Sequence, residues 1–163
     1  MPRATILLIV LAIALLGIAL YLGARTSEPD TAACSMGEYA GNIESLPGFG
    51  EKPLVVNAWA AWCPFCVDEL PDFAEAQKEF GDAVTIIAID RAEACQTAQK
   101  FTDKLGISND IVFLLDGRDS FYRSIGGFSM PETLFINAKG ETVIHKRGPM
   151  PLQEIREKIQ QVL

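Results

Sequence analysis

The order of apolar and polar residues divides the chain into an apolar N-terminal segment and a longer mixed segment. Residues 4–22 contain no charged side chain and consist mainly of Ile, Leu, Ala and Val. A helix of about 20 apolar residues spans a bilayer core. A cleaved signal peptide is the alternative, but its apolar region is usually only about 7–15 residues long. We therefore predict one N-terminal transmembrane helix, an uncleaved signal anchor, over residues 1–25.

The cations that flank this segment bear on its orientation. Arg3 and the terminal amine precede it and Arg25 follows it, so the charges that orient membrane helices nearly balance. We favour an N-terminus inside the cytoplasm and a domain outside, partly because of the cysteines described below. Residues 23–33 have little apolar content, and we assign a linker to residues 26–37.

Beyond the linker, short apolar runs alternate with stretches of helical periodicity. Continuous apolar runs are typical of buried strands, and apolar residues three or four positions apart are typical of helices on a sheet. The predicted strands are 53–60, 83–90, 110–116, 133–137 and 141–148, and the predicted helices are 63–80, 92–105, 119–125 and 151–163. Residues 37–50 are glycine-rich, which predicts irregular structure or a short hairpin. The alternation predicts an α/β domain over residues 38–163, with a mixed sheet and helices on both faces.

The charge balance excludes some partners. The chain carries 14 basic and 21 acidic residues, a formal charge of −7. Without Arg3 and Arg25, 12 bases remain against 21 acids, or −9. An acidic domain repels nucleic acid and anionic lipid head groups. We therefore expect no nucleic-acid partner, and we interpret the dispersed acids as a solvated surface.

Two of the four cysteines lie close together in the stretch AWAAWCPFCVDELP. Cys63 falls where a predicted buried strand gives way to a predicted helix. Free backbone N–H groups and the helix dipole stabilise a thiolate at a helix N-terminus. Pro64 suits the first helical turn, and Cys66 follows one turn after Cys63. This arrangement suits dithiol–disulfide exchange, in which one thiolate attacks and a second thiol resolves the mixed disulfide.

Other uses of the pair fit the sequence less well. A zinc site needs four ligands, and the remaining candidates Cys34, Cys95 and His145 are isolated in the sequence. A purely structural disulfide within one helical turn would constrain very little. We predict no metal and no organic cofactor.

The motif and its flanks resemble the thioredoxin superfamily, and in particular the TlpA/ResA-like membrane-anchored thiol–disulfide oxidoreductases. WCPFC follows VVNAWAA and precedes DELP, and the similarity runs from about Gly48 to Leu163. The resemblance implies a thioredoxin-like fold. Trp62 matches the tryptophan before the first cysteine and would be part of a substrate platform. Asn57 stands where general thioredoxins carry a buried aspartate.

Two further roles follow from the resemblance. MPETLFIN resembles the loop whose cis-proline faces the cysteines, so Pro131 would be cis and Met130 would pair through its backbone with a substrate strand. Glu69 is either a plain surface acid or a carboxylate that takes the proton of Cys66. The absence of an aspartate at Asn57 favours the second interpretation. His145 is predicted to be a solvent-facing residue of an edge strand.

Cys34 and Cys95 lie outside the basic thioredoxin pattern. Two further cysteines in an exported domain suggest a structural disulfide between them. Two unrelated free thiols are the alternative, expected if the domain faces a reducing cytosol.

The predicted function is thiol–disulfide exchange outside the cytoplasm on cysteines of partner proteins. The resemblance points towards a reductant of specific partner proteins, for instance of apocytochrome c cysteines. We expect a monomer that exchanges electrons with a membrane or soluble redox partner. The alternatives are a disulfide-donating oxidant and a non-catalytic binding or chaperone-like module. A peroxidase is disfavoured because its Thr-x-x-Cys signature is missing before Cys63.

Overall fold

The structure is a computed structural model that describes residues 11–19 and 34–163. The chain divides into two units, Met1–Ala33 and Cys34–Leu163. Within the first unit, residues 11–19 are helical with exposed side chains. No helix in the described parts of the chain is long and apolar enough to cross a membrane. Most of the predicted anchor and linker lies outside the described residues.

The second unit is built on a six-stranded mixed sheet. The strands are β1 (Gly37–Glu38), β2 (Leu54–Trp59), β3 (Thr85–Arg91), β4 (Val112–Asp116), β5 (Glu132–Ile136) and β6 (Thr142–Arg147). Their order is β1-β4-β3-β2-β5-β6. The first four in that order pair in parallel, whereas β5 is antiparallel to both β2 and β6. The predicted mixed sheet is confirmed.

Four helices connect or follow the strands. They are α1 (Pro64–Phe80), α2 (Cys95–Leu105), α3 (Ser120–Ser124) and α4 (Leu152–Gln160), and short 3-10 turns cover Ile43–Ser45 and Gly81–Ala83. Each of these α-helices lies within a predicted helix. The chain therefore follows its apolar periodicity from residue 53 onwards.

The hairpin offered as one alternative for residues 37–50 is wrong. Gly37 and Glu38 form β1, which pairs in parallel with Leu114 and Leu115 of β4. Both β1 residues are exposed, so no apolar alternation marks the strand in the sequence. Ile43–Ser45 then forms a 3-10 turn, and the Asn42 side chain accepts the Glu44 N–H.

The sheet separates two apolar layers. All six residues of β2 are buried, because its side chains point alternately into each layer. One layer contains Trp59, Phe73 and Phe135 together with residues of α1, α2 and α4. The other contains Leu54, Ile87 and Leu134 together with Phe121 of α3. Helices thus cover both faces, and the first layer includes Cys63 and Cys66.

Candidate active site

Cys63 is the N-cap of α1. Its backbone is extended, Pro64 begins the helix, and the Cys63 Sγ accepts the N–H of Cys66 at 3.2 Å. The strand-to-helix junction predicted from the sequence is therefore present. Sulfur at this position lies at the positive end of the helix dipole. It shares the Cys66 N–H with the Cys63 carbonyl, and both effects favour a thiolate over a thiol.

Cys63 and Cys66 are joined as a disulfide, with Cα atoms 5.3 Å apart. Cys66 is fully buried, and Cys63 keeps only 4% of its surface exposed. The neighbouring aromatic side chains of Trp62 and Phe65 are about 60% exposed. Only a narrow sulfur surface at Cys63 is therefore exposed, and the exposed side chains of Trp62 and Phe65 adjoin it in the sequence.

The loop before β5 and the two cysteines lie at the same end of the sheet, where β2 ends and β5 begins. Glu132, the first residue of β5, pairs with Ala58 near the end of β2, and β2 leads through three residues to Cys63. The peptide bond between Met130 and Pro131 is cis, as the resemblance implied. Met130 packs against the apolar layer that holds both cysteines.

The backbone of this loop is only partly paired. The Pro131 carbonyl accepts the N–H of Gly148 at 2.9 Å. Within residues 34–163, the Met130 N–H and C=O form no hydrogen bond. Both groups are therefore available to an extended segment of another polypeptide, as in strand addition.

Glu69 is a buried acid, and the plain surface role considered for it is excluded. Only 2% of its surface is exposed. Its carboxylate accepts the Asn57 Nδ2 at 2.7 Å and the Met150 N–H at 3.1 Å. Burial raises the pKa of Glu69 to about 8, outweighing the hydrogen bonds from Met150 and Asn57, which lower it. Because it follows Cys66 by three residues, it shares that cysteine's face of α1.

Asn57 connects Glu69 to β5. Its Nδ2 also donates to the Thr133 Oγ1 at 3.0 Å, and the side chain is fully buried. An aspartate here would place a second buried carboxylate 2.7 Å from the first, at high electrostatic cost. The asparagine leaves Glu69 as the single carboxyl group in this hydrogen-bonded cluster.

A second acidic pair supports the loop before Cys63, and the sequence analysis missed it. Asp90 is the penultimate residue of β3, and its Oδ1 accepts the Glu93 N–H at 3.0 Å. The Glu93 carboxylate in turn accepts the Ala61 N–H at 2.6 Å. Burial, reinforced by the neighbouring Glu93, raises the pKa of Asp90 to about 8. The sequence did carry a signal for this pair. Asp90 lies near the C-terminal end of a predicted strand, and the C-terminal ends of neighbouring parallel strands lie at the same end of the sheet, which places Asp90 near the loop before Cys63.

Cys34 and Cys95 are also joined as a disulfide, with Cα atoms 5.9 Å apart and a sequence separation of 61. Next to it, the Ser35 N–H donates to the Gln99 side chain at 2.8 Å. The bridge ties the start of the domain to the first residue of α2, which begins two residues after Glu93.

His145 lies on the edge strand β6, as expected, but it faces solvent only in part. Its side chain is 24% exposed, and its Nε2 lies 2.6 Å from the Oε2 of Glu132. The two residues are diagonal neighbours on one face of the β5–β6 pair, in which Leu134 is opposite His145. The register that brings them together depends on the turn after β5, which residue types alone do not specify.

No group of three or more His, Cys, Asp or Glu side chains among the described residues could hold a metal ion.

The sheet order, the N-capping cysteine and the cis-proline loop define a thiol–disulfide oxidoreductase of the thioredoxin superfamily. The Redoxin family model matches residues 31–163, so the chain belongs to the Redoxin family. The resemblance to TlpA/ResA-like proteins is confirmed by the relatives that follow.

Three similar proteins illustrate the relationship. Sporulation thiol-disulfide oxidoreductase A of Bacillus subtilis is 28% identical, over 92% of this chain and 94% of its own length. Thiol-disulfide oxidoreductase ResA of Halalkalibacterium halodurans is 33% identical, over 65% of this chain and 60% of its own. The structure of MTB DsbF in its mixed oxidized and reduced forms has a TM-score of 0.65 at 26% identity, covering 74% of this chain and 85% of that one.

The raised pKa of Glu69 predicts how stability depends on pH. Between its ordinary value of 4.5 and about 8, the folded protein keeps a proton that the unfolded chain releases. Stability therefore falls as pH rises through this window. Glu69→Gln is expected to flatten the decline by up to about 1.4 kcal/mol per pH unit, measured by urea unfolding with both disulfides intact.

Asp90 contributes in the same direction, so part of the slope remains in the Glu69→Gln variant. Glu79→Gln is the matched control. The hydrogen bond from Arg156 lowers the pKa of Glu79, so this residue does not titrate in the window. An unchanged slope in Glu69→Gln would contradict a protonated Glu69.

Proposed function

We propose that this protein reduces disulfides of partner proteins outside the cytoplasm, with Cys63 as the attacking thiolate. The observation that carries the proposal is the N-cap position of Cys63, whose sulfur receives the Cys66 N–H. The helix N-terminus stabilises the thiolate, and the thiolate is the species that attacks a disulfide.

The reaction balances within the dithiol and one substrate disulfide. The Cys63 thiolate attacks one substrate sulfur, forms a mixed disulfide and releases the other sulfur as a thiolate. Cys66 loses its proton and attacks the Cys63 sulfur, which releases the second substrate thiolate and forms the Cys63–Cys66 disulfide. Two electrons pass to the substrate, and a membrane or soluble redox partner restores the dithiol.

Glu69 is proposed to accept the proton of Cys66. Glu69 is buried and lies on the same helix face as Cys66. Its pKa of about 8 is close to that of a free thiol, so the ionised fraction of Glu69, which grows as pH approaches 8, can take this proton. Trp62, Met130 and Pro131 are proposed to hold the substrate, Trp62 through its exposed ring and Met130 through its unpaired backbone. Since one chain supplies all these groups, the proposed working form is a monomer.

The proposed location is the outer side of the cell membrane, with residues 1–25 as a single-pass anchor. The uncharged run over residues 4–22 supports the anchor. The Cys34–Cys95 bridge supports an oxidising compartment, because structural disulfides persist there and are rare in the cytosol.

The reduction potential of the Cys63–Cys66 couple tests the direction of electron flow. A value near about −270 mV, as in thioredoxin, is expected for a reductant. A value near about −120 mV would instead indicate a disulfide donor. The measurement is an equilibrium titration against dithiothreitol, with Cys34 and Cys95 left in their bridge.

A turnover assay tests whether the pair is catalytic at all. The protein is expected to accelerate the reduction of insulin by dithiothreitol. A binding or chaperone-like module with the same fold would give no acceleration, and that result would refute the proposed activity.

A further inference from the structure

Glu132 is a buried charge that the proposed thiol chemistry does not use. It is the first residue of β5, it directly follows Pro131, and none of its surface is exposed. A buried carboxylate is costly unless hydrogen bonds and opposite charges compensate it. Its partners therefore show what the residue does in the fold.

One carboxylate oxygen holds the loop before the cis-proline. The Glu132 Oε1 accepts the backbone N–H groups of Phe128 and Ser129, the second at 2.7 Å. The Gly148 N–H holds the Pro131 carbonyl from the other side. These bonds fix both ends of the loop Phe128–Pro131 and leave the Met130 backbone free between them.

The second carboxylate oxygen faces cationic and imidazole groups of β6. The Glu132 Oε2 lies 2.6 Å from the His145 Nε2 and 3.6 Å from the Arg147 Nε. Burial alone would raise the pKa of Glu132, but the N–H groups of Phe128 and Ser129 and the contact with His145 lower it on balance. The anion is thus compensated on both of its oxygens.

The residue just before this loop is closely packed as well. Gly127 lies against the ring of Tyr122, where a Cβ would meet ring carbon at 2.4 Å. The Arg91 guanidinium stacks on that ring, 3.5 Å from its centroid. A side chain at position 127 would therefore clash with Tyr122, so the chain can pass this close to the ring only with glycine at the position before the loop.

The side chain of Phe128, the first residue of this loop, points into solvent. Its side chain is 87% exposed, the most exposed large apolar residue among those described. Trp62 and Phe65 are the other exposed aromatic residues of the described chain, and both adjoin Cys63. Exposed apolar side chains grouped at one edge of a domain mark a surface that binds another molecule.

We propose that Glu132, held by His145, is a positioning residue that fixes the loop Phe128–Pro131 and so presents Phe128 to the substrate. The inference rests on the proposed thiol–disulfide exchange and specifies the substrate class. The occupant is an extended polypeptide with an apolar side chain next to its cysteine. The free Met130 backbone pairs with its main chain, and Phe128 contacts the apolar side chain.

The test compares a disulfide that can engage the loop with one that cannot, and each variant is compared with the wild-type protein on the same two disulfides. One is a cyclic disulfide peptide with Leu and Phe beside its cysteines, and the other is bis(2-hydroxyethyl) disulfide. Pre-reduced protein is mixed with each in a stopped-flow single turnover, followed by tryptophan fluorescence. The readouts are the half-saturating peptide concentration and the ratio of the two second-order rate constants.

Phe128→Ala and Glu132→Gln are each expected to raise the half-saturating peptide concentration about tenfold. The preference for the peptide over the small disulfide is expected to fall by the same factor. In spectra of the labelled protein, the amide signals of Phe128 and Ser129 are expected to shift in Glu132→Gln. Glu79→Gln is the matched control, since Glu79 pairs with Arg156 away from the loop.

An unchanged preference in Glu132→Gln, with moved amide signals, would overturn the inference. An unchanged half-saturating concentration in Phe128→Ala would overturn it as well. If Glu132→Gln does not fold, Phe128→Ala and His145→Ala test the inference instead. Phe128→Ala changes a side chain that is 87% exposed, so it is expected to fold. A wild-type protein that reduces neither disulfide would instead refute the proposed function itself.

Discussion

Cys63→Ser is expected to reduce insulin turnover on the order of a thousandfold or more, to the rate of dithiothreitol alone. A serine hydroxyl at the N-cap still accepts the Cys66 N–H, so the helix start and the fold are preserved. What is lost is the thiolate, because a hydroxyl does not ionise near neutral pH. The measurement is insulin reduction followed by turbidity.

Cys66→Ser is expected to give a different outcome. The attack by Cys63 proceeds, but nothing resolves the mixed disulfide, so a covalent adduct with the substrate accumulates. Mass spectrometry of the intact protein would show the adduct in Cys66→Ser and its absence in Cys63→Ser.

The matched control replaces the other pair with the same chemistry. The Cys34→Ser/Cys95→Ser double variant should retain insulin turnover under conditions in which it remains folded. If Cys63→Ser kept wild-type turnover, or if the control lost it equally, Cys63 would not be the nucleophile.

The second large effect concerns stability. Removing the Cys34–Cys95 bridge is expected to lower the free energy of unfolding by about 4 kcal/mol in the chain-entropy model, because the bridge closes a loop across a separation of 61 residues. Urea unfolding of the Cys63→Ser/Cys66→Ser protein, with and without reductant, isolates this bridge. The midpoint should fall on reduction, and mobility on a non-reducing gel should change.

The Cys63–Cys66 bridge supplies the comparison. It spans a separation of three residues, so the same model assigns it a smaller stabilisation. Equal midpoints for the reduced and oxidised protein, together with equal gel mobility, would show that Cys34 and Cys95 do not pair.

Local patterns predicted those parts of the fold that depend on neighbouring residues. The nearly continuous apolar run of β2, followed by Cys63 and Pro64, indicates a buried strand that is followed by a helix. The same reasoning failed for β1, because two exposed residues carry no periodicity. Its existence depends on the edge of β4, a partner more than 70 positions away.

In the candidate site, too, some features were predictable from the sequence and others depend on the assembled fold. The cysteine pair could be predicted from residue types at a fixed spacing, whereas the cis-proline was predicted only from the resemblance of its loop to the family. The contacts of Glu69 with Asn57 and of Glu132 with His145 depend on how α1 packs on β2 and on the register of β5 and β6. Burial changes the chemistry of both glutamates, and burial is a property of the assembled fold.

The strand order has a consequence for the biosynthesis of the enzyme. β2 lies between β3, its parallel neighbour, and β5, its antiparallel neighbour, so the site joins segments from opposite ends of the domain. Pro131 leaves the ribosome 68 positions after Cys63, and Gly148, which holds its carbonyl, later still. A nascent chain therefore presents Cys63 and Cys66 before the cis-proline loop of the candidate site has been made, and the site is complete only when synthesis is nearly finished.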